Sequence, residues 1–108
     1  MTTAFASGSW LVRDGSQAAF VDRWSKFVAS TTATVPGLHW AVLLAGTRVS
    51  RHFMSVAEWD SAAQREAWRA QPHFPAQMGA CRELCEEFRG ADYSLAASVR
   101  PGEKNSAP

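Results

Sequence analysis

The sequence predicts an α+β domain whose elements run in the order β-α-β-β-α-β. Three observations carry that expectation. The stretches 5–13 and 93–99 alternate in character with the period of two that a strand requires. Between them, apolar residues recur at helical spacing, first at Phe20, Trp24, Phe27 and Val28, then at Met78, Cys81, Leu84, Cys85 and Phe88. In the middle of the chain, two apolar runs are separated by little more than Gly46-Thr47, a turn so short that it implies an antiparallel hairpin.

Taken in order, FASGSWLVR (5–13) sends Ala6, Gly8, Trp10 and Val12 to one side and Ser7, Ser9 and Leu11 to the other, a strand with two unlike faces. Asp14-Gly15-Ser16 breaks it, and Asp14 with Gln17 forms a capping pair. An amphipathic helix follows from Ser16 to about Thr32, with Asp22, Arg23 and Lys26 mostly off the apolar stripe. Val35-Pro36-Gly37 is a turn signal. The second strand spans Leu38 to Ala45 and the third Arg48 to Trp59. Asp60 and Ser61 offer N-caps, with Gln64 three beyond Ser61, opening a short helix through Trp68 and Ala70. Pro72 and Pro75 interrupt it, and a new helical stripe runs from Met78 to a stop at Gly90. Tyr93 to Val99 is the expected last strand. Residues 1–100 then form one domain and PGEKNSAP (101–108) a loose tail. The order is that of the ferredoxin-like split βαβ arrangement, an antiparallel sheet with both helices on one side. Its other face keeps some apolar residues, and a second copy of the chain is the simplest cover.

Composition agrees with a single folded domain. The 108 residues are 46% hydrophobic and 19% charged. Eleven basic and ten acidic residues nearly cancel, which gives no electrostatic reason to expect nucleic acid or an anionic membrane as partner. No apolar run reaches the ~20 residues that span a bilayer. Met1 to Gly8 lacks the basic and apolar regions of a secretory signal, so a cytoplasmic location is the default expectation. Cys81 and Cys85 fall four apart in the predicted helix, where they are expected to be reduced and near one face. Two thiols without a second ligand pair do not make a metal site, and a glycine-rich phosphate loop and a nucleophile elbow are both missing. Neither a metal nor a nucleotide cofactor is expected. Five Trp and six Phe in so short a chain can fill a core, line a flat apolar pocket or seal an interface.

Five stretches resemble, in this order, the antibiotic-biosynthesis-monooxygenase family: AFVDRWSKF in the first helix, the VPGL turn, SVAEWDS at the end of the third strand, AWRAQPHF across the helix break, and YSLAASV. The match covers roughly residues 5 to 100. The resemblance implies a homodimeric α/β barrel with a pocket between sheet and helices in each subunit. It also implies oxygen chemistry without flavin or built-in metal, in which a deprotonated phenolic polycycle itself reduces dioxygen. The protein then has to bind a flat aromatic, exclude water and stabilise negative charge.

On that basis Trp24, Phe27, Trp59, Trp68, Phe74 and Met78 are candidate walls of a substrate pocket; each would also serve as ordinary core. Anthrone-oxidising relatives place an Asn four residues before the Trp that closes strand three, where this chain has Ser55 before Trp59. The Tyr they carry in the next helix falls near Arg65. Ser55 can donate a hydrogen bond, and Arg65 can stabilise an oxyanion if it turns inward. The haem-degrading branch uses a Trp like Trp68, then an axial His about ten residues on, where this chain reads Gln77-Met78; that branch's pocket Asn falls near Ser9. Among the three histidines, His39 and His52 lie on neighbouring strands and could approach each other across the hairpin. His73, beside Phe74 at the helix break where a pocket mouth would lie, is the first choice for a functional polar residue. The expected activity is a cofactor-independent monooxygenase acting with dioxygen on an aromatic or polyketide-like molecule, with His73, Ser55 and Arg65 as catalytic candidates. The alternatives are a non-catalytic small-molecule-binding or scaffold dimer of the same fold, and a haem binder.

Overall fold

The computed structural model describes residues 3–102. Four strands and three helices follow in the order β1 (Ala4–Val12), α1 (Gln17–Thr34), β2 (Leu38–Ala45), β3 (His52–Trp59), α2 (Ala62–Arg69), α3 (Phe74–Arg82) and β4 (Cys85–Ser94). The strands form one antiparallel sheet in the order β2-β3-β1-β4, so β1 and β3 are central and β2 and β4 are edges. With the helices on one side, this is the ferredoxin-like arrangement. None of the described helices is long and apolar enough to cross a membrane.

The period of β1 fixes which side is core. Ala4, Ala6, Trp10 and Val12 are buried. They stand opposite Trp59, Ala57, Phe53 and the Cys85 end of β4, which places all of these on the helix side. Helix α1 presses Phe20, Phe27 and Thr31 onto that surface. Ser61 caps α2 by accepting from the Gln64 amide, as the sequence predicts, and Pro75 opens α3. Two buried clusters result: one around Trp10, Phe20, Phe27 and Phe53, the other around Trp59, Ala4 and Val35. Trp68 packs against both.

Several expectations need correcting. Helix α1 has Ser16 as its N-cap, with no side-chain capping bond, so Asp14 and Gln17 do not form the expected pair. Strand β3 begins at His52 rather than Arg48, because the bonds from Gly46 N to His52 O (2.7 Å) and His52 N to Val49 O (3.0 Å) close a longer loop. The last helix ends at Arg82, not Gly90, and the final strand is Cys85–Ser94 rather than 93–99. The cause is a register shift: Leu11 pairs with Glu87 but Val12 pairs with Cys85. This bulge absorbs Glu86, so Cys85 and Phe88 reach the same side of a strand at a spacing of three, which in the sequence looks helical. Arg51 ties the bulge down by an ion pair to Glu86 and a 3.2 Å bond to the Val12 carbonyl. Cys81 and Cys85 therefore do not share a helix; both are free thiols, buried, with Cys85 Sγ 3.5 Å from the Cys81 carbonyl. Of the expected tail, residues 103–108 lie outside the described residues.

Away from the helices the sheet is uncovered. Trp40 is 43% exposed, Leu44 56% and Tyr93 58%. The rings of Phe5 and Trp40 meet there at 6.2 Å.

Candidate active site

Between the sheet and the three helices lies a cavity of about 500 Å³. Its floor is made by small residues of the central strands, among them Ala6, Gly8, Ser55 and Ala57. Gly8 is needed as glycine: a Cβ there would lie 2.7 Å from Trp10 Nε1, 2.8 Å from Ser55 Oγ and 3.0 Å from the Phe88 ring. Small residues on the floor and large ones on the helices leave a slot rather than a filled core.

The walls are aromatic. Trp24 and Phe27 come from α1, Trp59 from the end of β3, Trp68 from α2, and Phe74 and Met78 from α3. Trp68 is their hub, with ring centroids 5.3 Å from Trp59, 4.9 Å from Phe74 (edge-on) and 5.8 Å from Phe27. Its indole N–H donates to Thr31 Oγ1 at 3.1 Å, which explains a buried threonine on the apolar stripe of α1. Trp10 donates to Ser55 Oγ at 3.0 Å, so that hydroxyl keeps its own proton for another acceptor. Trp59 differs from both. It is fully buried, it lines the cavity, and its Nε1 has no hydrogen-bond partner among the described residues. Leaving such a donor unsatisfied costs about 1–3 kcal/mol.

Three charged side chains complete the lining: Arg69, Asp92 and Arg82. Arg69 and Asp92 pair in a two-pronged contact across from α2 to β4, one prong at 2.8 Å. The hydrogen bond from Arg69 holds the Asp92 carboxyl below its ordinary pKa and raises that of the arginine.

Of the other sequence-stated candidates, Arg65 is well shielded but does not line the cavity. Its guanidinium donates to the Phe5 carbonyl at 3.0 Å and lies near Glu66 and Asp92, so it braces α2 against β1. His73 is exposed and lines a separate niche of about 70 Å³ behind Trp68 and Phe74, together with Gln71 and Gln77. Gln77 is engaged there with Ser30 at 2.8 Å. Ser9 faces the opposite side of the sheet, 3.0 Å from His52 Nε2. His39 and His52 do not meet, because they sit at opposite ends of the β2–β3 hairpin; His39 is held by Glu58 at 2.9 Å and Asp60 at 3.5 Å. No described histidine lines the larger cavity, so a proximal haem ligand of the expected kind has no counterpart in its walls. The described residues also contain no cluster of three or more His, Cys, Asp or Glu suited to a metal ion.

Nothing in the sequence pattern singles out Arg69, Arg82 and Asp92 as cavity residues. Arg69 stands one helical turn beyond Arg65, a signal that could have paired them. Asp92 is hidden because the spacing in this stretch predicts a helix to Gly90 and a strand only from Tyr93, whereas β4 runs Cys85–Ser94.

The family model described as antibiotic biosynthesis monooxygenase matches residues 5–79. Among solved structures, SnoaB from Streptomyces nogalater, a cofactor-independent oxygenase, superposes with a TM-score of 0.80 at 21% identity, covering 94% of this chain and 99% of that one. A protein of Shewanella oneidensis gives 0.76 at 17% identity over 87% and 91% of the two chains. A conserved protein of Methanosarcina mazei gives 0.76 at 13% over 86% and 92%. At these identities the likeness is one of fold. No curated protein matches the sequence.

Proposed function

Because the chain belongs to the antibiotic biosynthesis monooxygenase family, we propose that it is a cofactor-independent monooxygenase that oxidises a flat, phenolic, polyketide-like molecule with dioxygen inside this cavity. The reaction balances on substrate and dioxygen alone. A phenol with a hydrogen para to its hydroxyl gives a quinone and one water, the substrate supplying all four electrons and keeping one oxygen atom. What the protein contributes is a dry aromatic slot and donors aimed at developing negative charge.

The observation that carries this reading is an aromatic cavity with the Ser55 hydroxyl in its floor, where Oγ accepts from Trp10 and the hydroxyl proton is left for a ligand. A hydrogen bond donated to a phenolate favours the ionised form, and the anion is the species that reduces oxygen. Ser55→Ala removes that donor. Turnover of a tricyclic phenol, followed as oxygen uptake, is expected to fall by on the order of 10²-fold, with binding changed only a few-fold. Unchanged uptake would remove Ser55 from the reaction.

A ligand-binding dimer without turnover is the second reading. It is favoured by the absence of His73 and Arg65 from the cavity lining. It predicts ligand binding with no oxygen uptake. In both readings the functional unit is a homodimer, with the uncovered sheet face around Trp40 and Leu44 as the contact.

A further inference from the structure

Trp10 is buried, with 2% of its surface exposed, and its ring packs on Phe20 (centroids 5.1 Å apart) and on Phe88 (4.2 Å). Ser55 meets it from the neighbouring strand. Gly8 of β1 is the cross-strand partner of Ser55, and Trp10 stands two residues on, so all three share the helix side of the sheet. The indole N–H donates to Ser55 Oγ at 3.0 Å. A Cβ on residue 8 would lie 2.7 Å from Trp10 Nε1 and 2.8 Å from Ser55 Oγ, so this bond is built where the chain carries no side chain.

A serine hydroxyl rotates and can both donate and accept, whereas an indole N–H only donates. Trp10 therefore occupies an acceptor position of Oγ and cannot take the serine proton. Accepting a hydrogen bond also polarises the hydroxyl and strengthens the bond that it donates in turn. Trp10 and Ser55 both line the aromatic cavity, so the proton directed in this way is open to an occupant. We propose that Trp10 is a positioning residue for the oxidation: it holds the Ser55 hydroxyl so that its proton is donated to the phenolic oxygen of the substrate. The proposal rests on the reading of Ser55 as that donor. A purely structural pair, in which Ser55 only satisfies a buried indole, would make Trp10 matter for stability and for nothing else.

The test reads the ionisation of 2-hydroxyanthracene, bound without oxygen, from its absorbance as pH is varied. Ser55→Ala is expected to move the midpoint of the bound phenol up by about one pH unit, as the loss of a hydrogen bond to a charged group allows. Trp10→Phe should move it the same way by a smaller amount, and should add nothing in the Ser55→Ala background. Phe20→Leu loosens the packing of the Trp10 ring and keeps the donor; it should lower the melting temperature and leave the midpoint in place. In air, Trp10→Phe should lower kcat for oxygen uptake by about tenfold, less than Ser55→Ala does, with KM changed little. A Trp10→Phe midpoint equal to the parent's, a shift that persists without Ser55, or an equal shift in Phe20→Leu would overturn the proposal and leave the Ser55 reading intact. An unmoved midpoint in Ser55→Ala would overturn both, and failure of the phenol to bind would overturn the assignment of the cavity as well.

Discussion

At Gly8 one methyl group separates an open slot from a blocked one. The neighbours it would meet are Trp10 and Ser55, already joined by a hydrogen bond, so neither yields without breaking that bond. Gly8→Ala is therefore expected to destabilise the fold by about 1–3 kcal/mol, the usual cost of overpacking, and to weaken ligand binding. Denaturant unfolding checks the first effect and fluorescence quenching the second; an unchanged midpoint would mean that the floor is softer than its distances indicate. Trp24 and Phe27 stand on the helical stripe of α1 and Trp59 closes a strand, so their inward placement follows from position, while their service as pocket walls is what the family resemblance implies. The charged part of the lining is not legible in this way. Arg69 and Arg82 sit on short helices where cations ordinarily face water, and only the placement of β4 shows that they border a cavity. His73 lies outside the cavity for a related reason: the helix break sets it at the start of α3, on the far side of the Trp68 and Phe74 rings.

Element by element, the helix α1, the β2–β3 hairpin and the capped α2 follow from periodicity and turn chemistry. Smaller departures are the longer β2–β3 loop and the start of α1, capped at Ser16 and not by Asp14; the largest is at β4, where the bulge at Glu86 turns a strand's spacing of two into three. Pairing with β1 then outweighs local pattern, since a helix there would leave a central strand without its neighbour. The hairpin also carries a pH-dependent clamp. His39 hydrogen-bonds Glu58 at the end of β3 and lies near Asp60 just beyond it. The Glu58 hydrogen bond, with the charges of Glu58 and Asp60, raises the His39 pKa above its ordinary 6.5. A raised folded-state pKa means that the contribution is complete below the unfolded value and disappears as pH rises through the folded one. His39→Gln should therefore lower the melting temperature in mild acid and converge with the parent as pH rises above neutrality. A gap that stays constant across roughly pH 5 to 9 would show that the clamp does not depend on protonation.

For the whole molecule, the helices cover one side of the sheet and leave Trp40, Val42, Leu44 and Tyr93 exposed on the chain. A small domain gains much from burying such a face, and a second copy does so symmetrically. Light scattering should give twice the 11.8 kDa chain mass, and Leu44→Glu should shift the protein toward monomer. A monomeric parent protein would contradict the dimer. The central claim, that the aromatic cavity hosts oxidation of a phenol by dioxygen, is tested most directly by titrating tricyclic phenols while Trp fluorescence and dissolved oxygen are read in the same samples. Four of the five tryptophans line the cavity, so an occupant must quench them. The account predicts quenching accompanied by uptake of one dioxygen per quinone formed; quenching with the oxygen level unchanged would contradict it.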